Sequence, residues 1–346
     1  MKVIRLNAQL FPIEAYEAGV WHEVGIAPIE VEANTPDELI PHVADCDAVV
    51  VVSAALPTRV VESMTHCRVI SRRGAGTDKI DVSTAKRMGI LVTNVPDFCV
   101  EEQADHTLAM LLGLIRQLPR MQSRLQQGDY VSARRLSESN QRTIGKTLGL
   151  IGFGRSAQST ARRAHGFGMR VIATRQNMSR TAEADALGVK LVDLDTLLRE
   201  SDYISLHTPL LEGTYHLIDH AAIDKMKHGA LLINTSRGAL IDEAALVDAL
   251  RSGRLGGAGI DTYETIDVFA DHPQPPTDHP LVKLLHDDIN LILTSHVAAG
   301  SVQAMQDVSR GAVENVATVL QGRWPSQERI VNWGVVPHVS LRPPGS

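Results

Sequence analysis

Short, continuously apolar runs rich in β-branched residues alternate with longer helical segments along most of the chain. The runs fall at residues 1–6, 48–52, 69–71, 90–93, 147–151, 171–173, 190–192, 203–206, 230–234, 257–260 and 289–293. Hydrophobicity that is continuous along a run and does not alternate marks strands buried on both faces, as in parallel sheets covered by helices. The pattern predicts a doubly wound α/β architecture. Residues 101–118, EEQADHTLAMLLGLIRQL, keep apolar positions at helical spacing over several turns and predict a long, buried helix. The polar stretch 122–146 lacks apolar periodicity and reads as a surface connection, with a domain boundary near Glu101. The final VPHVSLRPPGS reads as a surface tail.

At 346 residues the chain exceeds the size at which one core keeps growing, and 44% hydrophobic residues suffice for two cores, so two domains are expected. A net charge of −6 without a long basic block argues against nucleic acid or an anionic membrane as partner. Cys46, Cys67 and Cys99 are odd in number and show no Cys-x-x-Cys spacing. They read as reduced, buried thiols. Glu14 and Glu17 interrupt the apolar character of the first twenty residues, and no later run reaches the ~18 apolar residues of a membrane span. A soluble, cytoplasmic protein is expected, with no signal peptide or anchor.

The segment KTLGLIGFGRSAQSTARRAHGFGMRVIATR orders a strand, a glycine turn, a helix and a second strand as dinucleotide binding requires. Gly152 permits the tight turn, Gly154 lets the backbone approach a pyrophosphate, and Ala157 keeps the helix close to the sheet. The pyrophosphate would sit on the N–H groups at Arg155 and Ser156. Where an acidic residue would hold the ribose of NAD, this chain has Arg175, followed by Arg180. A guanidinium there can bond a 2′-phosphate, which favours NADP over NAD. The alternative is that Arg175 stacks on the adenine or faces solvent.

These motifs, with SRRGAGTDKID, VEEQADHTLAMLLGLIR, HTPLLEGTYHLID, LLINTSRGALIDEAAL, GAGIDTY and TSHVAAG, extend over about the whole chain. In that order they resemble the D-isomer-specific 2-hydroxyacid dehydrogenases, a family that includes phosphoglycerate, glyoxylate/hydroxypyruvate and D-lactate reductases. The resemblance implies a Rossmann domain, residues 101–300, inserted into a flavodoxin-like substrate domain made of residues 1–100 and 301–346. It also implies a homodimer built on the helix that begins near Glu101, and a small 2-oxo or 2-hydroxy acid as substrate. No metal is called for.

By the same resemblance, Arg237 in NTSRG would grip and polarise the 2-oxo acid, and His296 in TSHVAAG would give or take the proton. The family orients this histidine with a glutamate, but the usual spacing from Asp261 falls on Ile266. Glu264 and Asp267 flank it, and Glu264 is the expected partner. Ala75 and Gly76 resemble the loop whose amides bind the substrate carboxylate. His207, Pro209, Thr235 and Asp261 resemble positions lining the ribose and nicotinamide, although a structural Asp261 would look the same. Asp105 stands where the family usually has glutamate. Two alternatives remain open: a cofactor-sensing corepressor of the same fold, and a dehydrogenase of formate or phosphite.

Overall fold

The structure is a computed structural model that describes residues 1–7, 9, 11–266 and 278–342. The strands are β1 (Val3–Leu6), β2 (Ile29–Val31), β3 (Ala48–Val51), β4 (Val69–Arg72), β5 (Leu91–Thr93), β6 (Thr147–Ile151), β7 (Arg170–Thr174), β8 (Lys190–Leu191), β9 (Tyr203–Leu206), β10 (Ala230–Asn234), β11 (Leu255–Ile260) and β12 (Leu291–Leu293). Helices α1 (Ala15–Glu23), α2 (Pro36–Val43), α3 (Thr58–Ser63) and α4 (Val82–Arg87) connect the first five strands. Next come α5 (Val100–Ile115), α6 (Leu118–Gln126), α7 (Tyr130–Arg135), α8 (Arg155–Gly166), α9 (Ala182–Ala186), α10 (Leu194–Glu200), α11 (His220–Lys225), α12 (Glu243–Arg251), α13 (Pro280–Lys283) and α14 (Val302–Leu320).

The chain divides into two compact units. One holds Met1–Cys99 and the chain from Gly300 onward; the other runs from Val100 to Ala299, apart from part of the undescribed stretch. In the first, five parallel strands take the order β2-β1-β3-β4-β5, the flavodoxin-like arrangement. Neighbouring strand residues point to opposite faces. Ile4, Val49, Val51, Ile70 and Val92 accordingly pack with Leu39, Val60 and Val61 on one side. Val3, Val50, Val69 and Leu91 pack with Val308, Ala312 and Val316 of α14 on the other.

The second unit has seven parallel strands in the order β12-β11-β10-β9-β6-β7-β8, the Rossmann order extended by one strand. Leu108, Leu111 and Leu114 of α5 share a core with Leu148, Leu150 and the alanines Ala157, Ala161 and Ala164 of α8. Small residues on α8 let the two helices approach. Asp105 and Arg163 close the contact with a 2.6 Å hydrogen bond between Oδ1 and Nε.

Two points of the pattern are corrected. The polar stretch after α5 is not a bare connection: it continues from Gln117, at φ +53°, into α6 and α7. Polar contacts replace the missing apolar stripe. Asp129 caps α7 through the Ser132 amide, while Arg120 and Arg124 both pair with Asp288. The edge strand β2 also escaped the apolar criterion, because two of its three residues are exposed. The described part of the terminal segment, residues 336–342, lies at the surface and is tied down there: Arg342 exchanges backbone hydrogen bonds with Gly322 and Trp324, and His338 bonds Gly89. None of the three cysteines is in a disulfide among the described residues; Cys46 and Cys67 are buried, and Cys99 is half-buried.

Candidate active site

In the second unit, the glycine turn lies between the end of β6 and the start of α8. Gly152 has φ +96°, and a Cβ there would come within 2.3 Å of the His207 carbonyl oxygen. Both the backbone conformation and the close approach therefore exclude a side chain. Gly154 is the N-cap of α8 and makes no side-chain cap, and a Cβ on it would meet no atom within 4 Å. Its lack of a side chain serves no internal packing; it keeps clear the space over the first N–H groups of the helix. These groups and the positive end of the helix dipole suit a pyrophosphate. The residues present thus fit a dinucleotide.

Arg175 directly follows β7. Its Nη1 bonds the Arg180 carbonyl at 3.0 Å and pairs with Glu183 at 3.2 Å, and Arg180 reaches the same carboxylate at 2.9 Å. The Glu183 carboxyl is held below its usual range by a backbone hydrogen bond and then by the two guanidinium groups. His207 is buried behind the glycine turn, with its ring between Ser156 and Ser205. Thr235 is buried and tied to α5 by hydrogen bonds from Gln103 and with Thr107. Pro209 is exposed, and its carbonyl accepts from Thr214.

Arg237, Asp261 and His296 follow β10, β11 and β12, which pair as neighbours through Asn234, Ile260 and Leu293. All three residues leave the same edge of one parallel sheet, where such folds bind their ligands. The arginine loop is held by Asn234, whose side chain accepts from the Ser236 amide and donates to the Arg237 carbonyl. Nη1 of Arg237 donates to the Ser236 carbonyl at 2.7 Å. Gly238 is needed because a Cβ would overlap the Tyr263 carbonyl carbon at 1.9 Å.

His296 sits at φ +57°, in the left-handed region that costs a non-glycine residue about 1–2 kcal/mol. Asp261 offsets this cost. Its fully buried carboxylate accepts from Thr294 Oγ1 at 2.6 Å, the Val297 amide at 2.9 Å and the Ala298 amide at 3.0 Å, and its carbonyl accepts from the His296 amide. His106 extends the network through Thr294 at 3.1 Å. Asp261 therefore clamps the histidine loop, a task that depends on backbone amides and leaves no sequence signature.

Glu264 is engaged by residues that sequence reasoning missed. It accepts from Tyr215 Oη at 2.8 Å and from His216 Nε2 at 2.9 Å, and the Tyr215 and His216 rings stack 4.0 Å apart. Its amide donates to Glu243, which also bonds the buried His279. The other candidate, Asp267, lies outside the described residues.

In the first unit, the turn after β4 carries Ala75 and Gly76. The Gly74 carbonyl accepts from the Val95 amide and the Ala75 carbonyl from Asn94 Nδ2. Arg73, at the base of this turn, pairs with buried Glu17 at 3.3 Å, which also takes 2.8 Å from Arg5. Burial pulls the Arg73 guanidinium below its usual range despite that partner.

The seven-stranded unit with its glycine turn defines a dinucleotide-binding protein of the Rossmann class. The family model for the D-isomer specific 2-hydroxyacid dehydrogenase, NAD binding domain, matches residues 108–298. A glyoxylate reductase of Korarchaeum cryptofilum is 37% identical over 89% of this chain and 88% of its own. A hydroxypyruvate reductase of Thermotoga maritima is 38% identical over 81% of this chain and 87% of its own. Among solved structures, the Aquifex aeolicus D-lactate dehydrogenase complexed with NAD and lactic acid aligns with a TM-score of 0.83 at 26% identity, over 96% of this chain and 99% of that one. The chain belongs to the D-isomer-specific 2-hydroxyacid dehydrogenase family.

Proposed function

We propose that the protein reduces a small 2-oxo acid to the corresponding D-2-hydroxy acid, and runs the reverse oxidation, with Arg237 and His296 as its catalytic residues. The observation that carries this reading is the common sheet edge from which the glycine turn, Arg237 and His296 all emerge. A nicotinamide dinucleotide held along Gly152–Ser156 would supply the hydride. Arg237 holds the substrate carboxylate and draws charge toward the carbonyl oxygen, in a fork geometry that lysine lacks. His296 gives the proton that completes the hydroxyl, so one hydride and one proton are added in all. Within the second unit the cofactor is held along Gly152–Ser156, with His207, Pro209, Thr235 and Asp261 on the loops that follow its strands; in the first unit, the backbone amides of the Ala75–Gly76 turn suit a carboxylate.

NADPH is the favoured cofactor in this reading. Arg175 and Arg180 already converge on the Glu183 carboxylate, and two guanidinium groups that share one anion leave a net positive site for a 2′-phosphate. A homodimer is also proposed. Leu118, Leu125, Tyr130 and Val131 expose large apolar side chains along α6 and α7, the kind of surface a second copy would cover. Three thiols outside any disulfide suit a cytoplasmic setting.

The test is turnover of NADPH and of NADH with glyoxylate, hydroxypyruvate and bulkier 2-oxo acids. Arg237→Ala and His296→Ala should each lower kcat by at least ~100-fold while cofactor still binds. Near-wild-type turnover in either would remove that residue from the chemistry. Arg175→Asp should move preference toward NADH, and an unchanged ratio would show that Arg175 does not read the 2′-position.

A further inference from the structure

The His207 ring lies between two hydroxyls. Ser156 Oγ is 3.2 Å from Nδ1, and Ser205 Oγ is 2.9 Å from Nε2. Burial pushes its pKa down to about 4, so the ring is neutral near pH 7, with one N–H and one bare nitrogen. The surrounding hydroxyls decide which nitrogen carries the proton.

Ser205 is fully buried on β9, and among the described residues its hydroxyl bonds His207 alone. With the proton on Nε2, Ser205 would accept it and its own O–H would be left buried without an acceptor, an arrangement that costs free energy. With the proton on Nδ1, Ser205 donates to Nε2, Nδ1–H donates to Ser156 Oγ, and every donor is served. Ser156 is then the acceptor from His207, which frees its own hydroxyl proton. This hydroxyl belongs to the second residue of α8, beside the uncapped N–H groups at Gly154.

We propose that Ser205 and His207 form a hydrogen-bond relay that fixes the Ser156 hydroxyl as a donor to the cofactor pyrophosphate. Ser156 is the contact residue; His207 and Ser205 position it. The relay explains why a histidine is buried behind a phosphate-binding turn without a charged partner. It rests on the reading that the glycine turn holds the pyrophosphate. NADH and NADPH share this group, so the relay serves both equally, unlike Arg175.

Two measurements test it. In the unliganded protein, ¹⁵N–¹H correlation spectra of the labelled imidazole should show His207 protonated on Nδ1; a proton on Nε2 would overturn the relay. In fluorescence titrations with NADH and with NADPH, Ser156→Ala should raise Kd about tenfold for both cofactors. Ser205→Ala should weaken binding several-fold in the wild-type background and not at all in the Ser156→Ala background. Unchanged Kd values in Ser156→Ala would overturn the proposal even if the Ser205 variant failed to fold. Failure of the wild-type protein to bind either cofactor, with the Nδ1 tautomer present, would instead overturn the underlying reading of the turn.

Discussion

Removing the Asp261 carboxylate should release the histidine loop. In Asp261→Ala, the buried Ala298 amide, the half-buried Val297 amide and the Thr294 hydroxyl lose their acceptor together. An unsatisfied buried donor costs about 1–3 kcal/mol, so stranding the Ala298 amide alone is enough to release His296 from a left-handed conformation that itself costs about 1–2 kcal/mol. Asp261→Asn is the finer probe. Its oxygen can still serve Thr294 and Val297, but its NH₂ then faces the Ala298 amide, donor against donor. Losing that charge-assisted bond and adding the clash costs about 3 kcal/mol, or about two orders of magnitude in the population of the competent loop. The assay is kcat with the preferred 2-oxo acid, alongside urea unfolding and cofactor Kd. A fall in kcat of about 100-fold with the global fold retained is expected for Asn, and a larger loss for Ala. Wild-type kcat in both variants would refute the idea that Asp261 positions His296.

Other expectations follow from the same geometry. Gly152→Ala places a methyl against the His207 carbonyl at a positive φ, so dinucleotide binding should be lost and stability should fall by roughly 2 kcal/mol or more, read by titration and thermal melting. Glu17→Gln leaves Arg5 and Arg73 buried without their counter-charge; a loss of about 3–5 kcal/mol in urea unfolding is expected, and no loss would show the ion pair to be dispensable. His207 has a folded pKa of about 4 against 6.5 when unfolded, so the unfolded state binds the extra proton. Its contribution is complete above about pH 6.5, is lost as the pH falls toward 4, and amounts to a few kcal/mol. His207→Asn should flatten that part of the stability–pH curve, whereas an unaltered slope would place the acid sensitivity elsewhere.

The parallel sheets were legible because their strands are buried on both faces, which leaves uninterrupted apolar runs such as Ala48–Val51 and Ala230–Asn234. Where burial is one-sided or absent, the signal fails: β2 exposes Ile29 and Glu30, and α6 buries no residue at all. Those elements are fixed by partners remote in the chain, β1 for β2 and Asp288 for α6, which periodicity cannot reveal. The glycine turn was readable because its demands are local. The tie between Glu264 and His216 was not, because it joins loops 48 residues apart and depends on a backbone conformation of φ +49° at His216. Gly238 left a faint trace, a glycine directly after the arginine of NTSRG, but only the packed Tyr263 backbone explains it.

The most direct test of the central claim is the configuration of the product formed from a 2-oxo acid such as pyruvate or hydroxypyruvate with NADPH or NADH, resolved by chiral chromatography. The account predicts stoichiometric cofactor oxidation with the D-2-hydroxy acid as sole product, abolished in His296→Ala. Formation of the L isomer, or cofactor binding without reduction of any 2-oxo acid, would contradict it.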